Sequence, residues 1–151
     1  MRGSGLLCAA RYGSLVRERL TVLDARDDSL DLACRLEGAD SWVSVFSTRH
    51  PDRTGDKAWF AASLKDAKKG GGVAGRLEGD RTAEIRDLHA GEAWRDKAGK
   101  SQGLWFVRRG DFLIEVRATF EPEAAAEVFD ALRAFVGNTL PEAKIRDGAA
   151  D

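Results

Sequence analysis

The sequence predicts an α+β domain in which an antiparallel β-sheet carries two amphipathic helices. Three observations lead to this prediction. Apolar and polar residues alternate in the first third of the chain and again just before residue 120, as in strands with one buried face. Two other segments repeat apolar residues at helical spacing. Short turns join the strands, so we expect about 6–7 antiparallel strands in the order βββ-α-(ββ)-ββ-α.

The N-terminal third is predicted to form three strands, at 15–24, 30–37 and 41–48. The middle strand is the clearest of them, because its apolar residues alternate with charged ones. One of its faces would carry Leu30, Leu32, Cys34 and Leu36. The third strand is rich in β-branched and aromatic residues, which favour strands. We interpret its Trp42 as a core residue.

The first helix is predicted over 57–69, after a loop at 49–55 that contains Pro51. Asp56 is a suitable N-cap, and Gly70 is a suitable C-terminal cap. The helix has one mainly apolar stripe, which includes Trp59, Phe60, Leu64 and Ala67.

Segment 73–101 has a weaker pattern than its flanks. Residues 82–89 alternate around Ile85, and 91–99 form a second, more polar stretch. We predict a further pair of strands here.

The C-terminal part is predicted to be a hairpin followed by a helix. Strands at 104–108 and 112–120 flank Arg109-Gly110-Asp111, which we interpret as a tight turn rather than an adhesion motif. The helix at 122–136 begins with Pro122, has a full apolar stripe and ends at a glycine, Gly137.

These elements predict one domain over 15–137, a flexible N-terminus at 1–14 and a C-terminal tail at 138–151. The order of elements, with a long final hairpin leading into a C-terminal helix, resembles the Mog1/PsbP-like α/β sandwich family. The resemblance covers 15–137 and rests on architecture alone. It implies binding and assembly roles more often than catalysis.

Composition and charge argue against two classes of partner. The 24 basic and 25 acidic residues are spread along the chain and give a net charge of −1. Since no basic block is present, we expect no nucleic-acid partner. No apolar stretch approaches the ~20 residues that span a bilayer, so we expect a soluble protein without a membrane span. Localisation stays open between the cytoplasm and export with the native signal missing from this chain, and a monomer and a homodimer remain alternatives.

The two cysteines, Cys8 and Cys34, lack the spacing of metal ligands. Cys34 lies on the apolar side of its strand, which favours a buried free thiol. A Cys8–Cys34 disulfide is the open alternative, because sequence alone cannot assign pairing.

The glycines of KKGGGVAGRLEGD match the spacing of a dinucleotide-binding fingerprint, at Gly70, Gly72 and Gly75. That fingerprint needs a strand before it and a helix after it, because the helix N-terminus binds the pyrophosphate. Here a predicted helix comes first. We therefore interpret the segment as a helix end and a loop, and we expect no cofactor.

His50 and His89 are the only two histidines, and each has a carboxylate nearby in sequence, Asp52 and Glu92 respectively. If the fold brought them together, the four side chains could bind a metal or act as a general base. No ligand spacing demands this, so we expect two surface-loop histidines and no metal site.

Trp94 stands in a charged segment beside Arg95 and is either a lid over the core or an exposed contact residue. The main hypothesis is a non-enzymatic module that binds a protein partner or small ligand through 70–101 and the 49–55 loop. Its candidate binding residues are Trp94, Arg95, His50, Asp52, His89 and Glu92. A small metal-assisted or general-base enzyme and a structural assembly subunit are the alternatives.

Overall fold

A computed structural model describes residues 8–22 and 29–138 of the protein. The end of the predicted strand 15–24, most of the predicted tail and residues 1–7 lie outside the described residues.

The described residues form eight strands and two α-helices. The strands are β1 Arg11–Tyr12, β2 Leu15–Val22, β3 Ser29–Glu37, β4 Ser41–Arg49, β5 Gly75–Arg76, β6 Ala90–Arg95, β7 Ser101–Arg109 and β8 Phe112–Phe120. The helices are α1 Asp56–Gly71 and α2 Ala125–Asn138. Single 3-10 turns lie at Arg53–Gly55, Thr82–Glu84 and Pro122–Ala124.

All eight strands belong to one antiparallel sheet in the order β1-β2-β3-β4-β8-β7-β6-β5. The predicted α+β class is confirmed, but the predicted 6–7 strands and their order are wrong. The observed order is ββββ-α-ββββ-α. The two edge strands, β1 and β5, have two residues each, which is too short for an alternating pattern to reveal. β1 lies within the segment 1–14 that we predicted to be flexible.

One side of the sheet, here called the α2 face, is covered by α2. The apolar stripe of α2 packs on side chains from the centre of the sheet. Phe129 makes edge-to-face contacts with Trp105 and Phe120, and all three rings are fully buried. The stripe consists of Val128, Phe129, Leu132, Phe135 and Val136.

The predicted free thiol is wrong, because Cys34 forms a disulfide with Cys8 on the α2 face. The bond joins the segment before β1 to the middle of β3. Both cysteines are buried in the same core cluster. Burial was therefore predicted correctly for Cys34, whereas its partner lies 26 residues away in sequence, beyond the reach of any local pattern.

The opposite side, here called the α1 face, is only partly covered. Trp59, Phe60, Leu64 and Ala67 of α1 pack on a separate cluster from β6, β7 and β8. That cluster consists of Trp94, Leu104, Phe106 and Leu113. The part of this face formed by β2, β3 and β4, here called the open half, includes the exposed side chains of Val16 and Trp42.

The strand predicted at 82–89 is not present. Thr82–Glu84 form a 3-10 turn, and Ile85 is buried in the core cluster of the α2 face. The Trp105 indole donates a hydrogen bond to the Thr82 hydroxyl at 3.0 Å, which fixes the turn beside the sheet. The apparent alternation reflects the burial of a single side chain.

Turn chemistry is confirmed at the β7–β8 hairpin, where Gly110 has a positive φ of 56°. The predicted helix ends need correction. The C-terminal cap of α1 is Gly72, whose φ is 66°, rather than Gly70, and α2 continues through Gly137 to Asn138. Asp56 is the first residue of α1 rather than its N-cap, which is Gly55.

Candidate functional site

The fold brings His50 and His89 to the same carboxylate, that of Asp56. The His89 Nε2 atom lies 3.1 Å from Oδ2 of Asp56, and the His50 Nε2 atom lies 3.8 Å from its Oδ1. His50 directly follows β4, and His89 directly precedes β6. Asp56, at the start of α1, lies between them. The two histidines thus converge, but not with the carboxylates that the sequence suggested.

Arg108, near the end of β7, engages both oxygens of Asp56. Its Nε donates to Oδ2 at 3.0 Å, and its Nη2 donates to Oδ1. Its Nη1 donates to the backbone carbonyl oxygens of His50, at 2.5 Å, and Gly110, at 3.3 Å. The Asp56 side chain is only 3% exposed. A carboxylate at this position also suits the positive end of the helix dipole. The pair therefore anchors the start of α1 to the sheet.

The expectation of two surface histidines is wrong for His50. Its side chain is 12% exposed and packs edge-to-face on Trp59, with ring centroids 4.4 Å apart. His89 is 43% exposed and is the accessible member of the cluster. A carboxylate that orients an accessible imidazole is the arrangement used in general-base catalysis.

Asp52 and Glu92 lie outside this cluster. Asp52 accepts hydrogen bonds from the hydroxyl and the amide of Thr54, at 2.6 and 3.0 Å. These two bonds hold the pKa of Asp52 below its ordinary value. Glu92 instead pairs with Lys68 of α1 at 2.5 Å. Within residues 8–22 and 29–138, no group of three or more His, Cys, Asp or Glu side chains is arranged to hold a metal ion.

The structure shows that Trp94 is a lid over the core and not an exposed contact residue. The ring is 4% exposed, in the cluster between β6 and α1, with the Lys68 ammonium 5.5 Å from the ring centroid. Arg95 is exposed at the end of β6, where it pairs with Gly75 of β5.

Trp94 belongs to a row of directly paired residues that crosses the sheet from β2 to β5. Residues in register on neighbouring strands share a face, so the whole row lies on the α1 face. In order across the sheet, the row is Val16, Glu37, Trp42, Thr119, Gln102, Trp94 and Arg76.

Trp42 occupies the open half of this row and is 39% exposed. Its prediction as a core residue is therefore wrong. The Arg35 guanidinium lies 5.3 Å from the ring centroid, and the Lys100 ammonium lies 5.9 Å from it. Both distances are within the range of cation–π attraction. We call this group the Trp42 surface, defined by Val16, Arg35, Glu37, Trp42 and Lys100.

Ion pairs hold the Arg35 guanidinium beside the ring, and a backbone hydrogen bond fixes the position from which Lys100 reaches it. Arg35 pairs with Glu37 at 3.0 Å and with Glu18 at 3.4 Å. Lys100 belongs to a tight turn closed by the buried Asp96, whose Oδ1 accepts from the Lys100 amide at 2.9 Å. The Arg35 side and the backbone at Lys100 are therefore preformed parts of the Trp42 surface.

The Asp96 turn is itself tied to the sheet. Oδ2 of Asp96 accepts from the Gln102 side-chain amide at 2.9 Å, and Gln102 accepts from the Thr119 hydroxyl at 2.7 Å. Gln102 and Thr119 lie in the row between Trp42 and Trp94. A continuous polar chain thus links the turn that bears Lys100 to the strand beside Trp42.

No protein-family model matches the sequence, and no curated protein or solved structure is significantly similar to the chain. Function is therefore inferred from the geometry of the chain itself. Within the described ranges, no helix has both the length and the apolar character needed to cross a bilayer.

Proposed function

We propose that this domain is a non-enzymatic binding module and that the Trp42 surface contacts a protein partner. The observation that carries the proposal is the position of Trp42. Its ring is exposed between two cations on the half of the sheet that α1 leaves uncovered. Tryptophan and arginine are the residues most enriched at the energetic centres of protein interfaces.

The rigidity of this surface supports the proposal. The Arg35 side chain is held by two ion pairs, and the backbone at Lys100 is fixed by Asp96, so contact with a partner would order Arg35 at little further cost. A preformed surface lowers the entropy cost of association. Val16, which is 43% exposed in the same row, extends the apolar area beyond Glu37.

The proposed contact surface differs from the one that the sequence suggested. Trp94 is buried under α1, and His50 is largely buried against Trp59. Neither ring is available to a partner without opening the core. The binding function from the sequence is thus kept, whereas its location moves from 70–101 and 49–55 to the open half of the sheet.

Site-specific photo-crosslinking tests the proposal. A benzoylphenylalanine placed at Trp42 keeps an aromatic ring there, and the same residue at Lys57 serves as the control on an exposed position of α1. In cells of the source organism, we expect a discrete crosslinked product from position 42 and none from position 57. Equal products from both positions, or none from position 42, would contradict the proposal.

General-base catalysis by His89 is the second candidate function, because Asp56 holds this accessible imidazole at 3.1 Å. A panel of ester, phosphoester and glycoside substrates tests it, with His89→Gln as the matched variant. Turnover that is lost in His89→Gln would favour this candidate over the binding module. Turnover that persists in the variant, or none at all, would eliminate it.

A further inference from the structure

A shallow, open groove runs along α1, and three of its five lining residues are lysines. Its lining consists of Ala61, Leu64, Lys65, Lys68 and Lys69. Its lining combines the apolar side chains of Ala61 and Leu64 with the long, cationic side chains of the lysines. Such a groove suits a chain segment that combines apolar and acidic side chains.

Five cations on or beside α1 lack a carboxylate partner among the described residues. Two are lysines of the groove, two lie in the turn between β6 and β7, and one lies on β5. They are Lys65, Lys69, Arg76, Lys97 and Lys100, here called the basic track. The nearby carboxylates are already engaged. Glu92 pairs with Lys68, Asp66 with Arg117 at 3.8 Å, and Asp96 with the amides of its own turn.

The fold gathers these cations from separate parts of the chain. The Lys97 amide donates to the Gly71 carbonyl at 3.2 Å, so the Asp96 turn abuts the end of α1. A Cβ atom at Gly72 would lie 2.9 Å from carbons of Lys97, which shows how closely that side chain crosses the helix end. Arg76 pairs with Trp94 on the same face of the sheet as α1.

The basic track is continuous with the Trp42 surface, because Lys100 belongs to both. Its ammonium lies over Trp42, and its turn abuts α1 through Lys97. The chain as a whole has a net charge of −1, so this positive region is a local concentration rather than a general property.

We infer that the partner of the Trp42 surface is an acidic protein segment that continues along the basic track and the α1 groove. This inference rests on the proposed function. Carboxylates of such a segment would meet unpaired ammonium groups, and an apolar side chain would meet Trp42. A discrete segment can avoid Glu18 and Glu37 beside Trp42, whereas a uniformly anionic membrane or nucleic acid would be repelled by them.

Fluorescence anisotropy with a labelled peptide tests the inference. The probe is a peptide of roughly 12 residues, ~40 Å when extended, with alternating Glu and apolar residues and a central Phe. A peptide with Gln in place of every Glu is the control. We expect the acidic peptide to bind at least 10-fold more tightly than the Gln peptide, and its affinity to fall as salt rises from about 0.05 to 0.5 M.

The matched protein variants are Lys65→Glu with Lys69→Glu, against Lys57→Glu on the same helix. We expect the double variant to weaken peptide binding at least 10-fold and the control variant less than 2-fold. Circular dichroism confirms that both retain the fold. Equal peptide affinities for the double variant and the wild type would overturn the inference.

The same wild-type protein is titrated with vesicles containing about 30% phosphatidylserine and with a short DNA duplex. Tighter binding to either than to the acidic peptide would also overturn the inference. Crosslinking from position 42 tests the proposed function separately from the acidic chemistry of the partner. If crosslinking from position 42 persists in the Lys65→Glu, Lys69→Glu variant, the Trp42 surface remains the contact surface and only the acidic chemistry is wrong.

Discussion

Trp94 and Trp42 lie in the same cross-strand row, on the same face of one sheet, and differ above all in their coverage by α1. α1 covers Trp94, which is 4% exposed, and stops short of Trp42, which is 39% exposed. Each ring has a lysine ammonium within 6 Å of its centroid. Helix coverage, rather than strand pattern, thus decides which tryptophan stabilises the fold and which is available to a partner. The covered half of the sheet carries stability, and the open half is proposed to carry binding.

The largest expected effect lies in the covered half. Replacing Trp94 with alanine empties the cluster between α1 and β6, so we expect the free energy of unfolding to fall by about 3–5 kcal/mol. Urea denaturation measures this change. Trp94→Phe, which keeps an aromatic ring, should cost clearly less. A loss below ~1 kcal/mol for Trp94→Ala would show that α1 does not bury this ring in solution.

The group formed by Asp56, Arg108, His50 and His89, here called the Asp56 cluster, should also contribute strongly to the stability of the fold. Asp56→Ala leaves the buried guanidinium of Arg108 without its carboxylate, and breaking such a pair costs about 3–5 kcal/mol. Asp66→Ala is the control, because Asp66 is largely exposed and its pair with Arg117 is worth ~0.5 kcal/mol. Equal stabilities of the two variants would remove the anchoring role that we assign to Asp56.

The Cys8–Cys34 bond should stabilise the part of the sheet that α1 does not cover. Closing a loop between residues 26 apart in sequence contributes about 2–4 kcal/mol. We expect the wild type to lose this amount on addition of a reductant, as measured by thermal unfolding. The double variant Cys8→Ala, Cys34→Ala should be insensitive to the reductant. An unchanged Tm for the reduced wild type would contradict the assignment.

Trp42→Ala is the counterpart of Trp94→Ala and should have a smaller effect on stability. The protein loses two cation–π contacts and the buried part of a ring that is 39% exposed, so we expect the free energy of unfolding to fall by about 1–2 kcal/mol. The same variant should abolish partner binding. A loss of several kcal/mol would mean that Trp42 is a core residue after all.

The smallest expected effect concerns Asp52, just outside the Asp56 cluster. Its lowered pKa depends on Thr54, so Thr54→Val should raise the Asp52 pKa toward ordinary values, whereas Thr54→Ser should not. Carbon-13 NMR titration of the carboxyl group measures it. Because the folded pKa is lowered, this stabilisation is complete above about pH 4 and is lost as the pH falls through the folded value.

The central strands could be predicted from the sequence because one face of each is buried and period-two alternation records that burial. β3, β4 and β8 are examples. The pattern failed where an element was too short, as at β1 and β5, or where one buried residue imitated alternation, as at Ile85.

The candidate sites were less predictable because their contacts join distant residues. Asp56 and Arg108 are 52 positions apart, and no local pattern relates them. The exposure of Trp42 depends on how far α1 extends across the sheet. The residue pattern of β4, the strand that contains Trp42, gives no information about this. The two histidines stand out in the sequence by their chemistry, but nothing in the sequence indicates that they share the carboxylate of Asp56.

The indole N–H signals of the four tryptophans test the central claim most directly. Trp→Phe variants assign each signal in a nitrogen-15 NMR spectrum, and the domain is then titrated with the protein that crosslinks to position 42. We expect the Trp42 signal to shift on binding, while those of Trp94 and Trp105, which are buried, stay in place. A stationary Trp42 signal with movement of another indole would contradict the assignment of binding to the open half of the sheet.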